Sequence, residues 1–261
     1  MIAALLVLGA SGTIGRAVVE AALARGRPVI AVARGCTALA ALESADPHAE
    51  ITCIRANLAT ERGGARLLAR LRRLGRPIAD VVLALRGPDD RGRVLDASAD
   101  ALQARIDEDV KPALVAARHL LPWLADHAPG ARFVVVGGPG SSAPWSGYGH
   151  RSIAASALKM LVRVLHEETR ATGVRVQMLD VDRPACTEGN QAHACPQWPR
   201  VRAIGEQAVA LATARDMRAP AVVPFHDATV LPRADAAPHL SAARALLRRI
   251  TAPQSPQEPS P

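Results

Sequence analysis

Ala3-Ala-Leu-Leu-Val-Leu-Gly9-Ala-Ser-Gly-Thr-Ile-Gly15-Arg-Ala-Val-Val-Glu-Ala-Ala-Leu23 decides the fold. Residues 3–8 form a short continuous apolar run, which suits a strand buried on both faces. From Ile14 to Leu23 the apolar positions recur at helical spacing. Between them lies G-x-x-G-x-x-G, so the segment reads as strand, tight turn and helix. Without side chains, Gly9 and Gly12 would let the backbone approach a pyrophosphate, and Gly15 would let the helix pack on the strand. The N–H groups at the helix start, where Thr13 and Ile14 stand, would face the negative charge, and Ser11 is counted with them as a cofactor-binding residue. The alternative is a tight turn that binds nothing.

Working outward, residues 27–33, 50–55 and 79–85 are further apolar runs, with a helix over 65–74 between the last two. A long helix over 101–124, a strand over 132–136, a helix over 152–169 and a strand over 174–179 follow. A helix over 203–214 and a final strand over 221–225 complete the pattern. Continuous apolar strands alternating with helices predict an α/β fold: one doubly wound, Rossmann-type domain with a parallel sheet of about seven strands and helices on both faces. The expected domain is residues 1–251. Residues 252–261 are Pro-rich, lack apolar groups to bury and are expected to be a disordered tail.

Composition excludes several classes of function. The 261 residues are 49% hydrophobic, enough for one sizeable core. No run reaches the roughly 20 apolar residues of a membrane helix, and residues 1–8 lack the basic start and cleavage site of a signal peptide. The expectation is a cytoplasmic protein without membrane contact. A net charge of +8 comes almost wholly from arginine, with lysine only at Lys111 and Lys159, dispersed among alanines. Aromatic residues make up only 2%, too few to stack bases, so no nucleic-acid partner is expected. Cys186, His193 and Cys195 share a loop, but zinc usually takes about four ligands with a close pair, which is missing, so no metal is expected. Free thiols in a reducing compartment are the expected state.

The end of the second strand selects the cofactor. An NAD site offers a carboxylate to the ribose 2′-hydroxyl. Here the residue is Arg34, with no Asp or Glu before Glu43. Its guanidinium suits a 2′-phosphate through paired charge-assisted hydrogen bonds, so NADP(H) is expected, with NAD(H) as the alternative and Arg16 as a helper. The competing role for Arg34 is to solvate the strand end.

Over residues 2–225 the chain resembles the short-chain dehydrogenases/reductases. The resemblance rests on the glycine turn, the strand order, Leu121-Pro122 at the end of the helix before the fifth strand, the helical segment 157–168, and Gly173-Val-Arg-Val176 at the sixth strand. It implies an oxidoreductase acting on a carbonyl or alcohol, in which a Tyr moves the proton while hydride moves to or from the nicotinamide. These anchors place the family's catalytic Asn, Ser, Tyr and Lys on Asp109, Gly138, Arg151 and Ala155, so none of the four side chains is present. The family's Asn-Asn-Ala-Gly becomes Ala84-Leu-Arg-Gly87, its Pro-Gly becomes Val181-Asp182, and its adenine-contacting Asp becomes Asn57. The resemblance therefore implies cofactor contacts at Gly9 to Gly15, Arg34, Asn57 and Gly87. It also implies a homo-oligomer, dimer or tetramer, through the helices that begin near Ala101 and Ser152, and a substrate lid over 184–198.

The single tyrosine, Tyr148, stands three residues from the Tyr position, a shift of about 4.5 Å and 60° on a helix. Tyr148 or His150, steered by Arg151, is one candidate acid; Tyr148 as a loop anchor on Trp145 and Pro144 is the other reading. Ser141 and Ser142 are either cleft residues or turn residues. Asp182 would meet a substrate cation or pair with Arg183. Three functions stay open: an NADP(H)-dependent oxidoreductase with a degenerate active site; a non-redox cyclase, isomerase or dehydratase using Tyr148, His150, Arg151 or Asp109; and a non-catalytic cofactor sensor or inactive partner in a hetero-oligomer. The small-molecule substrate is not legible.

Overall fold

The computed structural model describes residues 2–45, 48–87, 91–216 and 218–226, all within one compact unit, Met1–Asp227. The expected tail over 252–261 and the domain end at 251 lie outside the described residues. Seven parallel strands, β1 (Ala4–Leu8), β2 (Val29–Ala33), β3 (Ile51–Arg55), β4 (Ile78–Leu83), β5 (Arg132–Val136), β6 (Arg175–Asp180) and β7 (Val222–Pro224), form one sheet in the order β3-β2-β1-β4-β5-β6-β7. The order reverses between β1 and β4, and ligands of such sheets bind above the carboxyl ends of the strands at that reversal.

Strand alternation divides the interior into two cores. Ala4, Leu6, Leu8, Ile30 and Val32 face one side, where they meet α3 (Glu61–Leu74), α5 (Lys111–His127) and α6 (Gly149–Glu168). Leu5, Val7, Val29, Ala31 and Ala33 face the other, against α1 (Thr13–Leu23), α2 (Cys36–Ala45) and α7 (Val201–Thr213). Both faces are covered, which is why these strands read as unbroken apolar runs rather than alternating ones. Gly205 lets α7 lie directly on α1, since a Cβ there would press on the Ala17 backbone.

Two elements differ from expectation. The helix expected over 101–124 is two helices, α4 (Ala99–Asp109) and α5, joined at Val110. Pro112 lies in the first turn of α5, where its missing N–H costs nothing, but within a continuous helix it would remove a hydrogen bond and clash with the preceding turn. The second is α2, which the sequence did not announce, because its Ala-rich stretch carries no clear apolar periodicity. The remaining boundaries agree to within four residues, β5 coinciding at both ends, and helix ends are where assignments vary most.

At the amino ends of the strands lies a buried ionic cluster. The Asp80 carboxylate is fully buried and accepts hydrogen bonds from Arg27 (2.6 Å), from Arg215 (3.1 and 3.2 Å) and from the Arg132 backbone N–H (2.9 Å). The Arg132 side chain, itself fully buried, donates to Gln177 Oε1 (2.9 Å) and to the Asp216 carbonyl (2.6 Å). Burial, then the neighbouring Arg175 and Arg215, push its pKa down from the usual guanidinium value.

Candidate active site

The glycine turn is held by the backbone. Gly9 and Ala10 donate to the Val32 carbonyl at 2.9 and 3.0 Å, and Gly12 donates to Gly9 at 3.0 Å. Gly9 has φ +88°, a left-handed conformation that suits glycine, and a Cβ there would collide with the Ala84 carbonyl oxygen of the neighbouring strand end. A Cβ at Gly15 would strike the Gly9 carbonyl oxygen. Gly12 differs: its φ of −74° suits any residue, and a Cβ would find nothing nearer than Gly9 O at 3.4 Å. Two glycines are thus required by the fold. The third keeps open space at the start of α1, where no side chain caps the first N–H groups.

Above this turn lies a cleft of about 220 Å³ whose walls include Gly9, Ser11, Gly12, Arg34, Asn57, residues 84–87 and Glu108. Six of the expected cofactor residues, Gly9, Ser11, Gly12, Arg34, Asn57 and Gly87, therefore share one cavity. Thr13 instead faces an adjoining groove of about 770 Å³ with Arg16, Cys186, Thr187 and Arg200, and Gly15 is buried inside α1. Ile14 is half-buried and packs against the core beneath the turn. Arg34 is exposed at the end of β2 and has no ion-pair partner among the described residues. Asn57 turns its Oδ1 to the Ala59 N–H at 3.0 Å, bracing the loop after β3.

The end of the cleft beyond β4 is gripped by charge. Arg151, 4% exposed on the first turn of α6, donates from Nη2 to the Gly87 carbonyl at 2.9 Å, and its Nη1 lies 3.6 Å from Asp109 Oδ2. Asp109, at the end of α4, accepts the Gly87 N–H at 2.7 Å. One glycine is thus bonded through both its N–H and its C=O, to side chains 22 and 64 residues away. A Cβ at Gly138 would sit 3.4 Å from the Arg86 guanidinium. Ala155, one turn beyond Arg151, presents only a methyl group.

Tyr148 is the residue before α6, and its ring stacks on Trp145 (centroids 3.9 Å apart, planes 17° apart) with Arg91 5.6 Å above it. Gly92 donates to Gly147 at 2.8 Å and accepts from Gly149 at 3.4 Å, so a strap from residue 91 onward crosses the helix start. Tyr148 thus makes the ring contact of a loop anchor. His150 is half-buried beside it on α6.

A second polar group went unread in the sequence. Lys159 Nζ donates to Asp180 Oδ2 and to Ser142 Oγ, both at 2.6 Å, and Ser141 Oγ donates to Asp180 Oδ1 at 2.8 Å. Both serines expected in the cleft or its turn are therefore committed to tying the loop after β5 to the end of β6. The signal lay in Lys159, one of two lysines, eight residues beyond Arg151 on the same helix face. Asp182 and Arg183 lie 3.9 Å apart on the surface. In the segment expected to be a lid, Cys186 bridges to residues 199–201 and Asn190 caps a turn by accepting from Thr187 N–H and donating to Ala185 O. Cys186 and Cys195 are free thiols, and among the described residues no three His, Cys, Asp or Glu side chains are grouped to hold a metal.

Comparison with known proteins gives a consistent result. The family model described as short chain dehydrogenase matches residues 3–192. A short-chain type dehydrogenase/reductase from Mycobacterium ulcerans superposes with a TM-score of 0.75 at 19% identity, covering 85% of this chain and 87% of that one. An oxidoreductase of the short chain dehydrogenase/reductase family from Burkholderia thailandensis gives 0.76 at 21% identity, covering 95% and 98%. L-sorbose reductase from Gluconobacter frateurii, solved with NADPH and L-sorbose, gives 0.75 at 16% identity, covering 88% and 98%. No curated protein matches the chain. At these identities the solved structures share the fold.

Proposed function

The chain belongs to the short chain dehydrogenase family, and on that premise we propose that it binds NADP(H) in the cleft above Gly9 to Gly15 while lacking the family's usual proton-transfer group. The cofactor fits three features of the site: the open space at Gly12, the uncapped start of α1, and the Arg34 guanidinium at the end of β2, unpaired among the described residues. Ser11 and the backbone of residues 12–15 would hold the pyrophosphate, Arg34 the 2′-phosphate, and Asn57 and Gly87 the flanking walls. When bound, NADP(H) supplies or accepts hydride at its nicotinamide.

The observation that carries the reading is Arg151. It stands where the family resemblance calls for Tyr, and a guanidinium stays protonated throughout the working pH range, so it can neither give nor take a proton there. Ala155 offers no ammonium in place of the family's Lys. What Arg151 and Asp109 do instead is fix Gly87, and with it the cleft wall, from both sides. Tyr148 and His150 lie near the same helix start, and the Tyr148 ring is engaged by Trp145. The degenerate site thus favours binding over ordinary carbonyl reduction.

A second reading, a cofactor sensor or a subunit of an oligomer, is favoured by the exposed apolar stripe Ile153, Met160 and Val164 on α6, with Leu114 exposed on α5. Apolar side chains at such spacing on one helix face suit a helix–helix interface between subunits. Among the described residues no helix is long and apolar enough to cross a membrane. The reading places the protein in the cytoplasm, where Cys53, Cys186 and Cys195 stay reduced.

Calorimetric titration with NADPH and NADH tests the proposal. NADPH should bind in the micromolar range, near −8 kcal/mol. Arg34→Asp should weaken NADPH about 10- to 100-fold, the range of a charge-assisted hydrogen bond lost from a phosphate, and NADH far less. A panel of carbonyl and alcohol substrates should give no cofactor turnover. Absence of NADPH binding removes the first half of the proposal, and family-like turnover removes the second.

A further inference from the structure

Along the free edge of the sheet, outside the cleft, runs a trough of about 740 Å³ between β3 and the outer face of α3. Six arginines line it: Arg34 and Arg55 at the ends of β2 and β3, and Arg62, Arg66, Arg70 and Arg73 on α3. The helix positions follow i, i+4, i+8 and i+11, so these four side chains stand on one face over about 16 Å. Among the described residues, no Asp or Glu lines the trough. All six are exposed, and none has a hydrogen-bond or ion-pair partner among the described residues, although other arginines of the chain pair readily with carboxylates. Six like charges brought together in one concavity without counter-charge repel one another, a cost that a bound polyanion would relieve.

The lining also selects the kind of anion. Among the described residues it holds no aromatic ring on which a base could stack, as single-stranded nucleic acid sites require. Its one large apolar residue among the described lining, Leu67, is buried in the core beneath and presents no exposed anchor of the kind around which protein interfaces are built. Its volume falls in the range of small-ligand pockets, about 300–1,000 Å³, and guanidinium forks match phosphate oxygens in pairs. We propose that this trough is a binding site for an oligophosphate, a ligand carrying several phosphate groups in a row, whether inorganic or borne by a nucleotide. Five of its six arginines lie outside the cofactor cleft, and the two cavities meet at a common rim of Arg34, Ala56 and Asn57. Because Arg34 is shared, a bound oligophosphate would also oppose a 2′-phosphate, so it would compete with NADPH more strongly than with NADH.

The test is calorimetric titration of the full chain with inorganic tripolyphosphate at fixed ionic strength, beside orthophosphate, ATP, an oligoglutamate and a short oligodeoxynucleotide. Tripolyphosphate should bind at one site per chain at least 10-fold tighter than orthophosphate. The double variant Arg66→Glu and Arg70→Glu should weaken it at least 10-fold, while Arg163→Glu with Arg170→Glu, the same charge change on the opposite region of the fold, should leave it within 2-fold. Both pairs are solvent-exposed, and circular dichroism checks that each variant is folded. Tighter binding of ATP identifies a nucleotide source and equal binding an inorganic chain; either supports the site. Equal weakening by both variants would show only a net-charge effect and overturn the proposal. So would oligoglutamate or the oligonucleotide binding as tightly as tripolyphosphate, or tripolyphosphate binding no better than orthophosphate. NADPH binding by the Arg66→Glu, Arg70→Glu variant, measured alongside, separates failure of this site from failure of the cofactor cleft.

Discussion

Replacing Asp80 with alanine should be among the most destabilising single changes available to this protein. The carboxylate is fully buried and receives Arg27 at 2.6 Å, Arg215 at 3.1 and 3.2 Å and the Arg132 N–H at 2.9 Å. Breaking a buried ion pair by removing one partner costs about 3–5 kcal/mol, because the remaining charge stays desolvated. The stranded Arg132 N–H adds part of a further 1–3 kcal/mol, the penalty for an unsatisfied buried donor. These terms overlap, so the expected loss is about 4 kcal/mol, out of the roughly 5–15 kcal/mol that stabilise a native domain. With a urea m-value of about 2.5 kcal/mol per molar, the unfolding midpoint should fall by about 1.5 M. Asp80→Asn keeps an acceptor for the Arg132 N–H but loses the charge and should fall between wild type and Asp80→Ala. Asp182→Ala removes one partner of a surface pair 3.9 Å from Arg183, 70% exposed on its own side chain, and should change stability by less than about 0.5 kcal/mol. Urea unfolding followed by circular dichroism reads all three. A loss below about 1 kcal/mol for Asp80→Ala would refute the claim that this cluster holds the amino ends of β4 and β5 together.

Three further outcomes are expected. Gly12→Val should leave the urea midpoint nearly unchanged, because a Cβ there meets only Gly9 O, in ordinary contact at 3.4 Å, while abolishing NADPH binding by filling the space at the helix start; loss of fold would place Gly12 with Gly9 and Gly15 instead. Met160→Glu on the exposed stripe of α6 should shift the protein to a smaller species in sedimentation or size-exclusion measurements if that face joins subunits; an unchanged profile removes the face as an interface. Burial pushes the Cys53 thiol up to about 12, with Glu43 adding to the shift, so it stays protonated and unreactive at neutral pH and becomes a thiolate only as pH approaches that value. Alkylation at pH 8 should therefore modify exposed Cys195 first and Cys53 far more slowly; equal rates would contradict this.

What the sequence made legible was whatever local pattern controls. The apolar runs of β1, β2, β4 and β5, buried on both faces, and the glycine turn between β1 and α1 could be read directly because neighbours in the chain are neighbours in space. Arg34 was legible for the same reason, since it follows a strand whose end the turn had already placed. The break between α4 and α5 was in view at Pro112, yet the apolar periodicity on either side hid it. The contacts that close the site were not readable. Gly87, Asp109 and Arg151 come together from three elements, and nothing in their spacing declares it. Lys159 and Asp180 meet across a helix and a strand in the same way. The arginines appeared dispersed along the chain, and their convergence emerged only when the face of α3 was set beside the ends of β2 and β3.

The unequal demands on the three glycines bear on how such a turn changes over time. Gly9 and Gly15 answer to the packing of strand against helix, so a descendant that had abandoned its ligand would still have to keep both or lose its fold. Gly12 answers to no neighbour, and under drift it would be the first of the three to acquire a side chain. In a lineage with altered chemistry, the surviving glycine at that one position is the informative one, because selection for folding alone gives no reason to retain it.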